Sequence, residues 1–156
     1  MVSPMDDTAH DVPPITLGGH AFVYKTTLAP ERGHAGAIRE TRPQEHYAKR
    51  DTIRLNRYGH GPFCRFGITV EQGLTGVYAL AVDGAVRYIG ICEDLARRFN
   101  AHYGTISPQD CYVGGQSTNC KINHRVLDES NAGRRVDLYF YPTPQRKALE
   151  KHLIAL

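Results

Sequence analysis

The sequence predicts an α+β protein: a small three-stranded antiparallel sheet flanked by helices, in the order β-β-α-α-β-α, carried by residues 74–156. Three observations predict it. Two β-rich runs, "GVYALAV" and "AVRYIGI", are separated by Asp83-Gly84, a hairpin signal. Leu95, Phe99 and Tyr103 recur at helical spacing directly after the hairpin. A third β-rich run, "RVDLYFYP" (135–142), precedes a final amphipathic stretch.

Taken in order, residues 1–15 are polar with Pro4, Pro13 and Pro14, and are expected to form a disordered tail. Residues 16–73 read as an irregular, partly β N-terminal appendage. Within it "HAFVYKTTL" (20–28) alternates as a strand, Ala29 to Gly61 has weak periodicity, and "GPFCRFGITV" (61–70) reads as a second strand leading into a Gln72-Gly73 turn. After the hairpin, Glu93 or Asp94 can cap a helix running to about Tyr103, and Gly104 can end it. "QSTNCKINHRVLDES" predicts a second helix capped by Ser117 or Thr118, with Ile122, Val126 and Leu127 inward. In the last helix Thr143 caps, Pro144 takes the first position, and Leu149, Leu153 and Leu156 face the core.

A chain of 156 residues has room for one domain, or one with a smaller attachment. Its 41% hydrophobic content is enough for a packed core, which excludes a wholly disordered chain. No apolar run approaches a bilayer's thickness, and the N-terminus lacks a basic segment followed by an apolar one. The expectation is a cytoplasmic protein that makes no use of a membrane. Cys64, Cys92, Cys111 and Cys120 form no C-x-x-C pair, which argues against a zinc knuckle and a disulfide framework and for buried, idle thiols. The net charge of +3 says little alone, but basic residues cluster at 39–65 and again at 134–151.

Tyr78, Tyr88, Arg98 and His102 are not what a hairpin and helix need for packing. A two-residue Asp83-Gly84 loop would pair Tyr78 with Ile89 and turn Tyr88 to the other face. A three-residue loop, Val82-Asp83-Gly84, would set the two tyrosines opposite each other. Pairing arithmetic leaves both open. Arg98 and His102, one helical turn apart, lie side by side on one edge of the stripe made by Leu95 and Phe99.

"GVY" at 76–78, "YIG" at 88–90, then Leu95, Arg98 and His102, with "ExxLI" at 150–154 on the last helix, resemble the GIY-YIG endonuclease signature. The resemblance covers residues 74–156, in the family's order of elements, and is closer to restriction-type than to excision-repair members. It implies the three-residue loop and a metal-dependent DNA endonuclease. Tyr78 would activate or orient the attacking water, His102 would take its proton, Tyr88 would position water or phosphate, and Arg98 would grip the phosphate. Glu150 would hold Mg²⁺ or Mn²⁺. The implied partner is DNA, and an enzyme cutting both strands needs two active sites, hence a homodimer.

Two departures are conservative or local: Val77 stands for isoleucine and Ile91 follows the "YIG". A third is larger. The family's asparagine beyond the glutamate has no counterpart before Leu156, so the expectation is a core truncated at its C-terminus or lacking that element. Candidate DNA contacts are Arg57, Arg65, Arg97, Ser117, Thr118, Asn119 and Lys121, with Asn119 and Asn123 spaced to reach base edges. Two other functions fit the same features: a DNA-binding module that kept the nuclease fold without cleavage, and a structure-selective repair or recombination nuclease needing a partner.

Overall fold

A computed structural model describes residues 12–156. The expected tail falls mostly on residues 1–11, which lie outside the described residues, and Ile15 already begins a strand. Among the described residues the sheet has five strands: β1 (Ile15–Leu17), β2 (His20–Thr27), β3 (Gly76–Val82), β4 (Ala85–Cys92) and β5 (Val136–Pro142). Their spatial order is β1-β2-β5-β3-β4, and every pairing is antiparallel. This corrects the predicted three-stranded sheet. The strand read at 20–28 exists, but it pairs with β5 and extends the sheet.

The physical reason lies in side chains far apart in sequence. Phe22 and Tyr24 are buried at alternate positions of β2 and pack with Val77, Ala79, Ala81 and Tyr139 on one sheet face. The Thr27 hydroxyl donates to the buried Asp137 carboxylate at 2.6 Å, Tyr24 and Thr27 share a hydroxyl bond of 2.7 Å, and Arg135 Nη2 donates to the same carboxylate at 3.2 Å. Hydrogen bonds to a charged acceptor are the stronger kind, so this network pins β2 to β5.

The helices are α1, an α-helical turn at Leu95–Arg97 continued by π-helical turns over Arg98–Tyr103; α2, Ser117–Asn131; and α3, Arg146–Ile154. Gln116, not Ser117 or Thr118, precedes the first turn of α2, whose buried face includes Ile122, Val126 and Leu127. α3 starts at Arg146, two residues past Pro144, because the Thr143 hydroxyl accepts the Gln145 N–H outside the helix, at 3.1 Å. Leu153 is buried and Leu149 packs on the sheet core, whereas Leu156 is 79% exposed and not part of it.

By internal contacts the chain forms two compact units. One holds the described residues up to Leu28 with Thr69–Ala96 and Arg135–Leu156, including the whole sheet and α3; the other holds Ala29–Ile68 with Arg97–Arg134. The run 61–70, whose residues up to Ile68 belong to the second unit, is not a strand. Side chains, not a neighbouring strand, meet the backbone of Cys64 and Ile68. Asn123 accepts from Cys64 N–H at 2.9 Å and donates to Cys64 C=O at 2.8 Å. Asn100 does the same for Ile68, at 2.6 and 3.0 Å. Only Phe63 is bridged by backbone in both directions, to Thr41. Two carboxamides thus stand in for a neighbouring strand and satisfy buried peptide groups that would otherwise be orphaned.

Candidate active site

The hairpin turn is two residues long. Asp83 (φ 46°) and Gly84 (φ 86°) both take positive φ, the requirement of a type I′ turn. The three-residue loop implied by the resemblance therefore does not form. The strands instead shift register between Leu80 and Ala81: Ala81 pairs with Val86, but Leu80 pairs with Tyr88 and Tyr78 with Gly90. Arg87 is the extra residue of this bulge, and bulges re-aim the side chains beyond them. One residue of slip turns Tyr88 to the face of Tyr78, as diagonal rather than opposite neighbours. Their rings stack with centroids 6.2 Å apart and planes 27° apart.

Gly90 explains the last letter of "YIG". A Cβ there would collide with the Oη and Cζ of Tyr78, whose ring lies across this glycine. At the other end of the motif, a Cβ on Gly76 would strike the Tyr141 carbonyl of β5. Both glycines are present for close approach. Tyr78 is 1% exposed, held between Gly90 and Tyr88, while Tyr88 is half-buried.

Glu150, the only carboxylate on α3, is half-buried one turn beyond Arg146. Arg146 Nη2 donates to Glu93 Oε1 at 3.1 Å, tying the start of α3 to the residue that follows β4. Among the described residues Glu150 enters no ion pair, and none of them form a group of three or more metal-ligating side chains. A lone carboxylate fits Mg²⁺, which keeps most of its waters and takes further oxygens from substrate phosphates; it does not fit zinc.

Arg98 and His102 belong to the second unit. The Arg98 guanidinium lies over the Tyr103 ring at 5.9 Å, and Phe99 meets Tyr103 edge-on at 5.2 Å. The wide turn closes with Gly104 N–H donating to Phe99 C=O at 2.8 Å, a bond five residues back. Burial, then the charges of Arg98 and Arg97, push the His102 pKa below its ordinary value, against a weaker pull from Asp110. Its Nδ1 is buried and meets no partner among the described residues. The neutral imidazole is thus favoured, the form able to accept a proton.

The expected DNA contacts divide. Arg57 and Lys121 both lie over the Tyr58 ring, at 5.3 and 5.7 Å, so an aromatic face in the second unit is flanked by two cations. Thr118 is exposed, Ser117 half-buried and Arg97 exposed. Arg65 is exposed beside a cavity. Asn119 is a correction: it is 6% exposed and donates to Asp110 at 3.4 Å, so it holds a loop and does not present a base-reading amide. Asn123, fully buried, also donates to Tyr103 C=O at 2.7 Å. The sequence reading missed Asn100; an asparagine one residue after a core phenylalanine of a helix is the signal available for it. The four cysteines are free and buried.

No family model and no curated protein matches this sequence. Among solved structures, the chain is similar to a mutant of bacteriophage T4 EndoII, at 17% identity and a TM-score of 0.39. The match covers 78% of this chain and 65% of that one, so this chain spans less than two thirds of its length. No helix among the described residues is long and apolar enough to cross a membrane.

Proposed function

We propose that the chain is a metal-dependent DNA endonuclease of restriction or defence type. The observation that carries this reading is the Tyr78–Tyr88 stack built across Gly90. A bulge is spent to bring two phenols to one face, and the rest of the signature follows in order at Arg98, His102 and Glu150. Plain cross-strand packing would need neither the bulge nor a glycine under the first ring.

In the proposed reaction a water attacks the phosphorus, the P–O3′ bond breaks, and the 3′ oxygen leaves with the bonding electron pair and takes a proton from bulk water. Tyr78, fixed by its packing, orients the water. His102, kept neutral by burial and its neighbouring arginines, takes the proton. Arg98 neutralises the charge gathering on the non-bridging oxygens, a task suited to a planar, permanently charged fork. Tyr88, the more exposed phenol, positions a phosphate oxygen. Glu150 would hold Mg²⁺ or Mn²⁺, which when bound supplies Lewis-acid stabilisation of the departing oxygen. Cutting both strands requires two such sites, so the working form is a homodimer on DNA.

Incubation with plasmid, a mixed-sequence duplex library and branched or flapped duplexes in Mg²⁺ or Mn²⁺ tests the proposal. Discrete fragments are expected. Binding without cutting would leave only a DNA-binding module, and cutting confined to branched or flapped DNA would indicate a structure-selective nuclease.

A further inference from the structure

The second unit contains a cavity of about 350 Å³ that the proposed chemistry does not use. Arg42, Arg65 and His46 line it with the hydroxyl-bearing Thr41 and Thr105, and no carboxylate does. Neither Arg42 nor Arg65 enters an ion pair among the described residues. Pro43, Cys64 and Ile106 give it an apolar wall.

The frame around these cations is fixed. Thr41 and Phe63 exchange both backbone bonds, at 2.7 and 2.9 Å, which sets Arg42 and Arg65 on facing segments. Arg65 C=O accepts from Glu31 N–H at 2.8 Å. The 3₁₀ turn Pro43–His46 is held through Gln44, which donates to His60 C=O at 2.8 Å and accepts the Tyr112 hydroxyl at 2.7 Å. Arg42 and Arg65, both exposed, border one cavity that no carboxylate lines, and a bound anion there would offset the repulsion between like charges. Planar, bidentate donors favour phosphate. The volume exceeds what a phosphate alone would fill and lies at the small end of ligand pockets.

We infer that this cavity binds one nucleotide, its phosphate on Arg42 and Arg65 and its base against Pro43 and Ile106. The nucleotide comes either from a DNA strand, in which case the assignment rests on the endonuclease reading, or from the free pool.

The test is binding in EDTA, where nothing is cut. dAMP and dTMP are titrated into the full chain by calorimetry, and a fluorescent oligonucleotide is titrated in parallel. Arg42→Ala and Arg65→Ala are each expected to weaken binding about tenfold or more, the scale of one charge-assisted hydrogen bond. Thr105→Glu, an exposed position, is expected to abolish it by placing a carboxylate in the cavity. Circular dichroism confirms that each variant is folded, and the wild-type titration stands without any variant. Mononucleotide binding that the oligonucleotide displaces assigns the site to DNA, as does oligonucleotide affinity that alone falls in the variants. Mononucleotide binding indifferent to the oligonucleotide assigns it to free nucleotide. No mononucleotide binding, with oligonucleotide affinity unchanged in all three variants, overturns the inference. Because the readout needs no cleavage, a chain that cuts plasmid yet fails here loses only the pocket, and one that binds here yet never cuts loses only the endonuclease reading.

Discussion

At the scale of residues, small side chains decide what the large ones can do. Gly90 lets the Tyr78 ring lie across β4, so Gly90→Ala is expected to force the ring off its position. Overpacking of this kind costs about 1–3 kcal/mol, which chemical denaturation should read directly, and cleavage should fall with it. His102 offers a second prediction. Its pKa is lowered by burial first and by Arg98 next. The unfolded chain therefore binds the proton first as pH drops below about 6.5. The stabilisation from keeping His102 neutral is present above that pH and is lost as pH falls through the lower, folded value. An NMR titration should place the His102 midpoint below 6.5 and show Arg98→Ala moving it upward. A midpoint unmoved by that substitution would contradict the assigned cause.

At the scale of elements, what the sequence disclosed was what neighbours in the chain determine. The hairpin follows from Asp83-Gly84, both at positive φ, and α2 from a fifteen-residue periodic run. The strand at 20–27 was legible from its alternation, but its partner was not. Thr27 meets Asp137 across 110 positions, and nothing local in either segment announces the other. That is why the sequence reading leaves β2 in an appendage and does not see β1. Residues 61–70 differ for another reason: their pattern is that of a strand, but two asparagine side chains take the place of a neighbouring strand at Cys64 and Ile68. Asn123→Ala should accordingly be severe. It leaves Cys64 N–H and Cys64 C=O buried without the asparagine that pairs them, at roughly 1–3 kcal/mol for each group, and removes a bond to Tyr103 C=O. A loss of at least about 3 kcal/mol in urea denaturation is expected; Thr118→Ala, on the exposed side of the same helix, should lose under about 0.5 kcal/mol. Of the candidate site, the motif residues were legible, while the bulge at Arg87 that turns Tyr88 toward Tyr78 was not, because no glycine or proline marks it.

At the scale of the whole molecule, the proposed function assigns roles to residues of both compact units. Arg57, Lys121, Arg65 and Arg42 lie in one unit with Arg98 and His102, while Tyr78, Tyr88 and Glu150 lie in the other. If the cations act by releasing counterions, affinity should fall by orders of magnitude between about 50 and 200 mM salt. Affinity indifferent to salt would make them ordinary solvated surface. The central claim, that Glu150 and Arg98 serve one hydrolytic reaction, is tested most directly by measuring cleavage and affinity together. Plasmid cutting is followed in Mg²⁺, and DNA binding by gel shift in Ca²⁺ and without metal. Glu150→Ala is predicted to abolish cutting while binding stays equal or tightens, since a carboxylate near phosphate is removed. Arg98→Ala is predicted to abolish cutting and weaken binding, since a phosphate contact is lost. A Glu150→Ala protein that still cuts near the wild-type rate would contradict the account.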